Sequence, residues 1–332
     1  MLNLQINRIH MKNIYIFALT ALVLITFNSG CGEQAQKQNT SGGELKGAIS
    51  ISGAFALYPM TVKWAEEFQK LHPKVRIDVS AGGAGKGMTD ALSQMIDLGM
   101  FSRGISPEEI AKGAWYIAVA KDAVVPTINS ANPNYAAVKA RGLTREEFVS
   151  LFLTQKTRTW NQLVKSAKAD KINIYIRSDA CGAAEMWGIY LGKNQESLNG
   201  IGVFGDPGIA DAVKNDKFGI GFNNIIYAYD INSRQVYPGM DIIPLDLNGN
   251  GRIDKEEDFY KSLDDIMNAI RTGVYPSPPA RDLYFVAKGK PQNKAAVEFL
   301  KWILNEGQKY VNEAGYVALT PDKLQSELSK LK

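Results

Sequence analysis

Short strands and helices alternate regularly between residues 48 and 128, and this rhythm is the strongest constraint on the fold. Five short apolar segments predict strands, at residues 48–52, 75–79, 96–100, 115–120 and 124–128. The segments between them have helical features, and Trp64, Phe68 and Leu71 share one face of the first predicted helix. Strands separated by amphipathic helices in this way predict an α/β fold.

The rhythm changes after Asn129. A capping-box pattern at 144–147 predicts the start of a helix, and a later strand is predicted at 171–176. Near the C-terminus, a strand at 282–287 and an amphipathic helix at 295–304 return to the first pattern. The chain has 332 residues, which is long enough for more than one hydrophobic core.

The N-terminal segment, residues 1–30, has the features of a lipoprotein signal peptide. Two basic residues precede an apolar run at 14–27, and small residues follow up to Cys31. The apolar run is too short to predict a membrane span. We therefore expect cleavage before Cys31, a lipid on that cysteine and a membrane anchor, with the polar segment 31–46 acting as a flexible tether.

Composition excludes several classes of function. The 38 basic side chains, of which Arg8 and Lys12 leave with the signal peptide, nearly balance 34 acidic ones, so nucleic acid is not an expected partner. Cys181 is the one cysteine besides Cys31, which excludes a disulfide framework. The chain beyond the signal peptide holds one histidine, His72, and no zinc-protease or nucleophile-elbow motif. We therefore expect no enzyme, and we expect Cys181 to be packed instead of nucleophilic.

The stretch from Arg177 to Glu185 is the most informative one for function. It lies between the strand predicted at 171–176 and a helix predicted at 186–191, and small residues fill the turn. A helix that begins on small residues offers unpaired N–H groups and the positive end of its dipole to an anion. Arg177 adds a planar set of donors beside it. The alternative is an ordinary strand-to-helix turn with a surface Arg–Asp pair.

A glycine-rich stretch at 80–87 leads into a helix predicted at 88–95. It is similar to a phosphate loop but is not a Walker motif, because Ser80 replaces the first glycine and Gly87 replaces the final Ser or Thr. Its glycines would allow a ligand to approach the backbone at a helix start. The alternative is a flexible surface turn.

Residues 246–257 fit the EF-hand calcium loop in full. Calcium prefers six to eight oxygen ligands, which the loop would supply from side chains and one carbonyl. The predicted ligands are Asp246, Asn248, Asn250, the carbonyl of Arg252, Asp254 and Glu257. A helix is predicted to follow at 259–270 and a strand to precede the loop, so we expect a lone structural Ca²⁺ site and not a paired EF-hand. The alternative is an Asn-Gly turn before an acidic helix start.

Several motifs, taken together, resemble the phosphate-binding proteins of bacterial ABC transporters, a family of the periplasmic binding protein superfamily. The order of the motifs along the chain makes the resemblance specific. The motifs are Gly53 to Pro59, Gly82 to Gly87, Asp97 to Arg103, Arg177 to Asp179, Tyr275 to Arg281 and Gly307 to Tyr310.

The resemblance implies a type II, two-lobe α/β fold with an anion buried in the cleft between the lobes. Lobe I would comprise residues 47–122 and 279–332, and lobe II would be the inserted residues 123–278. The change of rhythm after Asn129 and the late strand at 282–287 agree with such an insertion.

The family pattern also implies a set of anion-binding residues. Arg177 would contact the anion with Asp179 to orient it, and Ser102 and Arg103 would add side-chain donors. Backbone N–H groups would complete the site. The full implied set is Phe55, Ala56, Ala84, Gly85, Ser102, Arg103, Arg177, Asp179, Cys181, Gly182 and Ala183.

Several positions depart from the family. Ala84, Cys181 and Ala183 stand where it usually has serine or threonine, and Phe55 and Ala56 lie near a further hydroxyl that the family pattern implies. The missing hydroxyls leave two ligands open, free phosphate and another oxyanion. We expect a lipid-anchored periplasmic protein of the cell envelope that captures phosphate or a related oxyanion for an ABC transporter permease. The alternative is a sensor or interaction lipoprotein of the same fold that has lost phosphate binding.

Overall fold

The structure is a computed structural model that describes residues 44–165 and 167–332. The predicted signal peptide 1–30, the predicted lipidation site Cys31 and residues 31–43 of the predicted tether lie outside the described residues. Within the described part of the chain, no helix has the length and apolar character needed to cross a membrane.

Nine strands are found in the described residues. They are β1 Gly47–Gly53, β2 Val75–Ala81, β3 Leu98–Phe101, β4 Ala114–Asn129, β5 Asn173–Arg177, β6 Ile201–Val203, β7 Gly219–Asn224, β8 Met240–Ile242 and β9 Ala280–Lys288. Their order is β2-β1-β3-β9-β4-β7-β5-β6, and β8 pairs with β4. β1 is parallel to β2 and β3, β5 is parallel to β6 and β7, and β9 is antiparallel to β3 and β4.

Helices separate most of these strands, as the sequence predicted. The helices are α1 Tyr58–Leu71, α2 Ala84–Leu92, α3 Pro107–Ala111, α4 Tyr135–Arg141, α5 Arg145–Phe152, α6 Trp160–Leu163, α7 Gly182–Tyr190, α8 Gly205–Asn215, α9 Ile225–Ala228, α10 Leu263–Thr272, α11 Lys294–Leu304 and α12 Pro321–Ser329. The capping box predicted before α5 is confirmed, since Thr144 and Glu147 cap each other's backbone N–H groups.

β4 is one continuous strand of 16 residues, where the sequence predicted two separate strands. The predicted break fell on the polar residues Lys121 and Asp122. In the structure Lys121 Nζ lies 2.9 Å from Asp282 Oδ1 on β9. Asp122 pairs with Arg281, which also lies on β9. Oppositely charged cross-strand partners therefore keep both residues in the sheet.

β4 also joins two halves of the sheet. Its residues up to Ala123 pair with β9, and its residues from Val124 onwards pair with β7 and β8. We call the part built on β1, β2, β3, β9 and residues 114–123 lobe I, and the part built on residues 124–129 and β5 to β8 lobe II. The two-lobe α/β fold predicted from the sequence is confirmed. β4 runs through the junction between the lobes, and the segment that leads into β9 crosses it in the other direction, with the Val124 N–H donating to the Pro279 carbonyl.

The core of lobe I forms where α1 packs against α11. Trp64 and Phe68 are buried as predicted, and the Phe68 ring lies 5.1 Å from that of Phe299. Leu71 was predicted on the same buried face but is 61 % exposed. The ring of His72, the C-cap of α1, lies 4.5 Å from that of Phe68.

The core of lobe II is an aromatic cluster around Trp187 of α7. Its ring centroid lies 5.1 Å from that of Phe148, 5.7 Å from Phe152 and 6.0 Å from Phe222. Large rings in edge and stacked contact bury much apolar surface in a defined geometry. The cluster therefore fixes α7 against α5 and β7, and with it the position of the N-terminus of α7.

The helix after the calcium-type loop begins later than the sequence predicted. The prediction was 259–270, whereas α10 starts at Leu263. Ser262 is its N-cap and accepts a hydrogen bond from the Asp265 N–H at 3.2 Å. Phe259 and Tyr260 are buried ahead of the helix. The serine cap and the acidic first turn therefore set the start, and not the apolar residues before them.

Candidate functional site

The start of α7 forms the centre of the candidate anion site. Cys181 is its N-cap, and the Cys181 Sγ accepts a hydrogen bond from the Ala184 N–H at 3.3 Å. Gly182 and Ala183 are buried, and their N–H groups meet no acceptor in the described residues. A buried donor without a partner costs about 1–3 kcal/mol. These two N–H groups are therefore available to donate to a ligand at the start of α7.

Arg177 ends β5 beside these donors, with its side chain only 1 % exposed. Its Nε lies 2.8 Å from Asp179 Oδ1, its Nη2 2.5 Å from Asp179 Oδ2, and its Nη1 2.5 Å from Asp206 Oδ2. Burial opposes ionisation of Asp179, but the hydrogen bonds and charge of Arg177 lower its pKa overall. Three of the five guanidinium N–H groups are used in this way, which leaves one on each terminal nitrogen.

Asp206 is a site residue that the sequence analysis missed. It is the second residue of α8, and its side chain is almost fully buried. Its Oδ1 accepts a hydrogen bond from Asn224 Nδ2 at 2.6 Å while its Oδ2 binds Arg177. The one signal in the sequence was an acidic residue in the first turn of a predicted helix. That signal does not reveal a partner 29 positions earlier.

A second buried ion pair lies where the strands cross between the lobes. Arg281 of β9 places its Nε 2.8 Å from Asp122 Oδ1 of β4, and its Nη1 donates to the Gly182 carbonyl at 3.1 Å. Burial raises the pKa of Asp122 to about 6, although the Arg281 charge opposes the rise. Arg281 therefore connects both crossing strands to the first residue of α7.

The glycine-rich stretch faces the same region from lobe I. The Gly85 N–H donates to the Ala180 carbonyl of lobe II at 3.1 Å, while the Ala84 N–H meets no acceptor in the described residues. A Cβ at Gly85 would lie 2.9 Å from the Ala180 Cβ. Lys86 pairs with Asp90 in its own helix. The stretch is therefore an interlobe contact, and its one unpaired predicted donor is at Ala84.

Ser102 of lobe I lies close to Gly182 of lobe II. It is buried, and a Cβ at Gly182 would lie 2.2 Å from its carbonyl oxygen and 2.3 Å from its Oγ. The Ser102 Oγ makes no hydrogen bond to the described residues. The structure thus brings Ser102 to the start of α7, as expected for a hydroxyl donor in the cleft.

Arg103 has its own partners within lobe I. Its guanidinium nitrogens lie 2.7 and 3.0 Å from the carboxylate oxygens of Glu109. Its guanidinium carbon, Cζ, lies 4.5 Å from the ring centroid of Phe101. The sequence predicted Arg103 as a possible second charged donor to the anion. Its charge is instead balanced by Glu109, the residue that completes the capping box of α3.

Phe55 and Ala56 follow β1 and contribute backbone donors from lobe I. Their N–H groups meet no acceptor in the described residues. The Phe55 carbonyl accepts a hydrogen bond from the Tyr227 hydroxyl of lobe II at 3.0 Å. The ring of Phe55 lies over Arg177, with 5.5 Å between its centroid and the guanidinium carbon. The sequence analysis named the N–H group of Phe55 as a donor to the anion but made no prediction about the position of its ring.

Comparison with known proteins identifies the superfamily. Residues 34–306 match the PBP superfamily domain, which is most of the chain. The chain belongs to the PBP superfamily. The superfamily relationship that the order of motifs predicted from the sequence is therefore confirmed.

Relatives with curated names cover nearly all of this PBP superfamily chain. The phosphate-binding protein PstS of Xylella fastidiosa is 24 % identical over 95 % of this chain and 96 % of its own length. Protein SphX of Synechococcus elongatus is 26 % identical over 82 % of this chain and 77 % of its own length. The name of the PstS relative describes a binding protein and not an enzyme.

Solved structures show the same fold. A substrate-binding protein with bound phosphate from Clostridium perfringens has a TM-score of 0.67 at 20 % identity, covering 82 % of this chain and 100 % of its own. An ABC-type phosphate transport receptor from Vibrio cholerae has a TM-score of 0.60 at 18 % identity with the same coverage. The TM-scores show that these proteins share the fold. At identities this low, the similarity does not show the ligand of this chain.

The N-cap cysteine of this PBP superfamily chain, Cys181, is buried as a neutral thiol. Burial raises the pKa of the Cys181 thiol to about 12, so it stays protonated at neutral pH. Its backbone N–H donates to the Gln195 side chain at 3.0 Å and so is not available to an anion. Cys181 therefore shapes the turn and supplies an N-cap acceptor for α7.

The calcium-type loop lies in lobe II, after β8. Its two end carboxylates, Asp246 and Glu257, are each 5 % exposed and form no ion pair with a basic side chain in the described residues. Gly249 and Gly251 have φ values of +73° and +78°, which the sharp turn of such a loop requires.

Backbone N–H groups surround the two buried carboxylates of the loop. Asp246 accepts hydrogen bonds from Gly249, Asn250 and Gly251 at 2.7 to 3.2 Å, and Glu257 accepts them from Leu247, Asn248 and Asp254 at 2.8 to 3.1 Å. Asp254 is paired with Arg252, with 2.8 Å between Oδ1 and Nε. The acidic side chains do not gather around one point in the described residues.

Proposed function

We propose that this PBP superfamily protein captures phosphate or a related tetrahedral oxyanion for uptake through an ABC transporter permease. The observation that carries the proposal is the pair of buried, unpaired N–H groups at Gly182 and Ala183 beside Arg177. A helix N-terminus of this kind attracts an anion through both its free donors and its dipole. The names of the PstS relatives support the choice of phosphate.

Donors from both lobes complete the proposed site. Lobe I contributes the N–H groups of Phe55, Ala56 and Ala84 and the hydroxyl of Ser102, while lobe II contributes α7 and Arg177. An anion held between them would favour the closed state, because it would contact both lobes at once. β4 and the segment that leads into β9 would act as the hinge, since they connect the lobes.

The charges of the cleft make backbone donors more important than side-chain charge. Arg177 is balanced by Asp179 and Asp206, so these three side chains together carry a charge of −1. An anion here would be held mainly by N–H groups and by the two remaining guanidinium hydrogens. The cleft is therefore suited to an oxyanion that can accept several hydrogen bonds.

Isothermal titration calorimetry of the purified full-length protein in detergent tests the proposal. Phosphate, arsenate, sulfate and molybdate would be titrated in parallel, with acetate as a planar control anion. We expect saturable binding of at least phosphate or arsenate and none of acetate. If neither these four tetrahedral oxyanions nor an organic phosphonate binds, the transport proposal fails, and the sensor or interaction lipoprotein becomes the better description.

We also propose that the protein is a lipoprotein of the cell envelope. The support is the sequence before Cys31, which lies outside the described residues. Mass spectrometry of the native protein should find an N-terminal cysteine that carries two or three acyl chains. A mature protein that still begins at Met1 or Met11 would contradict the anchor without affecting the anion site.

We further propose a structural Ca²⁺ ion at residues 246–257. The support is the pair of buried carboxylates, Asp246 and Glu257, which lack basic partners, together with the complete loop pattern. The residues fit a calcium ion in type and order, and Asp254 would exchange Arg252 for the metal. The ion would tie the two ends of the loop together ahead of α10.

A further inference from the structure

The aromatic side chains beside the anion site suggest what kind of oxyanion it takes. Phe55 of lobe I and Phe204, the residue before α8 in lobe II, meet edge to face with 5.8 Å between their centroids. Phe55 covers Arg177 at the buried end of the pair, and Phe204 is 61 % exposed at the outer end. We call these two residues the aromatic pair.

The position of the aromatic pair is fixed by the backbone around it. Gly205 has a φ of +75°, and a Cβ there would lie 3.3 Å from the Phe55 ring. The absence of a side chain at Gly205 thus makes room for the ring. The Tyr227 hydroxyl holds the Phe55 carbonyl at 3.0 Å from the other side. The ring of Phe55 is therefore a built part of the cleft wall.

This wall stands next to the donors of the anion site. The same residue, Phe55, supplies one of the N–H groups without an acceptor, and its ring lies over the guanidinium of Arg177. An inorganic oxyanion would turn one oxygen towards this apolar surface and lose water there without gaining a hydrogen bond. An anion with a carbon substituent would place that substituent against the rings and bury it.

We propose that the aromatic pair makes the cleft select oxyanions with an apolar substituent, such as an organic phosphonate or a phosphate monoester, over inorganic phosphate. This inference rests on the proposed anion site at α7 and names its ligand class. The oxyanion head would bind the N–H groups of Gly182 and Ala183, and the substituent would lie along Phe55 towards Phe204. The absence of hydroxyls at Ala84 and Ala183 also makes the pocket less polar.

Competitive calorimetry with inorganic phosphate, methylphosphonate and phenylphosphonate tests the inference on the full-length protein. We expect phenylphosphonate to bind at least about 10-fold more tightly than phosphate, with methylphosphonate between them. Phe55→Ser should reverse this preference, because a hydroxyl would replace the ring beside the anion. Phe55→Leu should keep part of the preference, since it retains apolar volume, and it also serves if the serine variant is unstable.

Phe218→Ser provides a matched control. Phe218 is also half-buried and lies near a cation, with Lys217 Nζ 5.1 Å from its ring centroid, but it precedes β7 at the end of the sheet opposite to Arg177. We expect this control to keep the wild-type preference. Tighter binding of inorganic phosphate than of both phosphonates by the wild type, or an unchanged ratio in Phe55→Ser, would overturn the inference alone. If no phosphonate and no phosphate binds, the anion site itself is refuted as well.

Discussion

The cleft and the calcium-type loop pair charges and amides in opposite ways. In the loop, six backbone N–H groups donate to Asp246 and Glu257, and neither carboxylate meets a basic side chain in the described residues. In the cleft, Asp179 and Asp206 are paired with Arg177, while the N–H groups at the start of α7 meet no acceptor. The loop thus has unbalanced negative charge, and the cleft has unused donors.

The comparison shows how backbone N–H groups can contribute to a cation site in one region and to an anion site in another. A buried carboxylate that has only amide partners remains a net negative charge, which a cation can neutralise. A buried amide without an acceptor is a net donor, which an anion can satisfy. The groups that are left without a partner, carboxylates in the loop and N–H donors in the cleft, therefore decide the sign of the ion. Three substitutions test this difference, from the largest expected effect to the smallest.

Asp206→Asn should produce the largest loss of stability. Both Asp206 oxygens accept from donors, Arg177 Nη1 and Asn224 Nδ2, and the new amide N–H would face one of them. A charged hydrogen bond is lost and a buried donor is left unpaired, so the free energy of unfolding should fall by about 3–5 kcal/mol. Urea unfolding measures the change. Asp78→Asn is the matched control, because Asp78 pairs with Arg76 at the surface and should contribute less than about 1 kcal/mol. Equal losses in the two variants would show that burial does not distinguish these ion pairs.

Gly182→Ala should weaken oxyanion binding by about 100-fold or more, which corresponds to about 2.7 kcal/mol. The added Cβ would lie 2.2 Å from the Ser102 carbonyl, so the lobes could not close over the anion. Calorimetry gives the affinity. Gly104→Ala is the control, since a Cβ there meets no atom within 4 Å. A Gly182→Ala protein that binds as well as the wild type would exclude the start of α7 as the site.

Calcium binding should produce the smallest of the three effects, an increase in the free energy of unfolding. Extracellular loops of this kind bind with dissociation constants of about 10⁻⁴–10⁻³ M, so 10 mM calcium should add about 1.4–2.7 kcal/mol, or a few degrees in Tm. Glu257→Gln should abolish the increase, because it removes a buried carboxylate ligand. Differential scanning calorimetry with and without chelator measures it.

The control for calcium is the neighbouring residue. Glu256 is exposed, so Glu256→Gln removes the same charge from the loop without touching a predicted ligand. The variant should keep the wild-type response to calcium. If the wild type shows no response, or if both variants lose it equally, residues 246–257 are a turn and not a metal site.

Features decided within a few residues were predictable from the sequence. The α/β rhythm, the capping box at Thr144 and Glu147 and the burial of Trp64 and Phe68 are confirmed. Each depends on neighbours within about one or two helical turns, whose spacing the sequence states directly. The two-lobe fold followed from the order of motifs along the chain, and the superfamily match supports it.

Features that join distant segments needed the tertiary structure. The sequence split β4 at Lys121 and Asp122, because the partners that hold them in the sheet come about 160 residues later on β9. Asp206 at the start of α8 has its partner Arg177 29 positions earlier, on β5, so the local sequence does not reveal the pair. The ring of Phe55 crosses from lobe I to Arg177 in lobe II, and local patterns do not encode that contact.

The sequence by itself therefore determined which elements form, in what order, and which short segments carry donors and carboxylates. The tertiary structure decided which of those groups neutralise one another: Asp206 balances Arg177, Glu109 balances Arg103, and Gln195 takes the N–H of Cys181. The physical reason is that secondary structure depends on short-range backbone geometry. The charge balance of a buried site depends on every segment that packs around it, however distant in sequence.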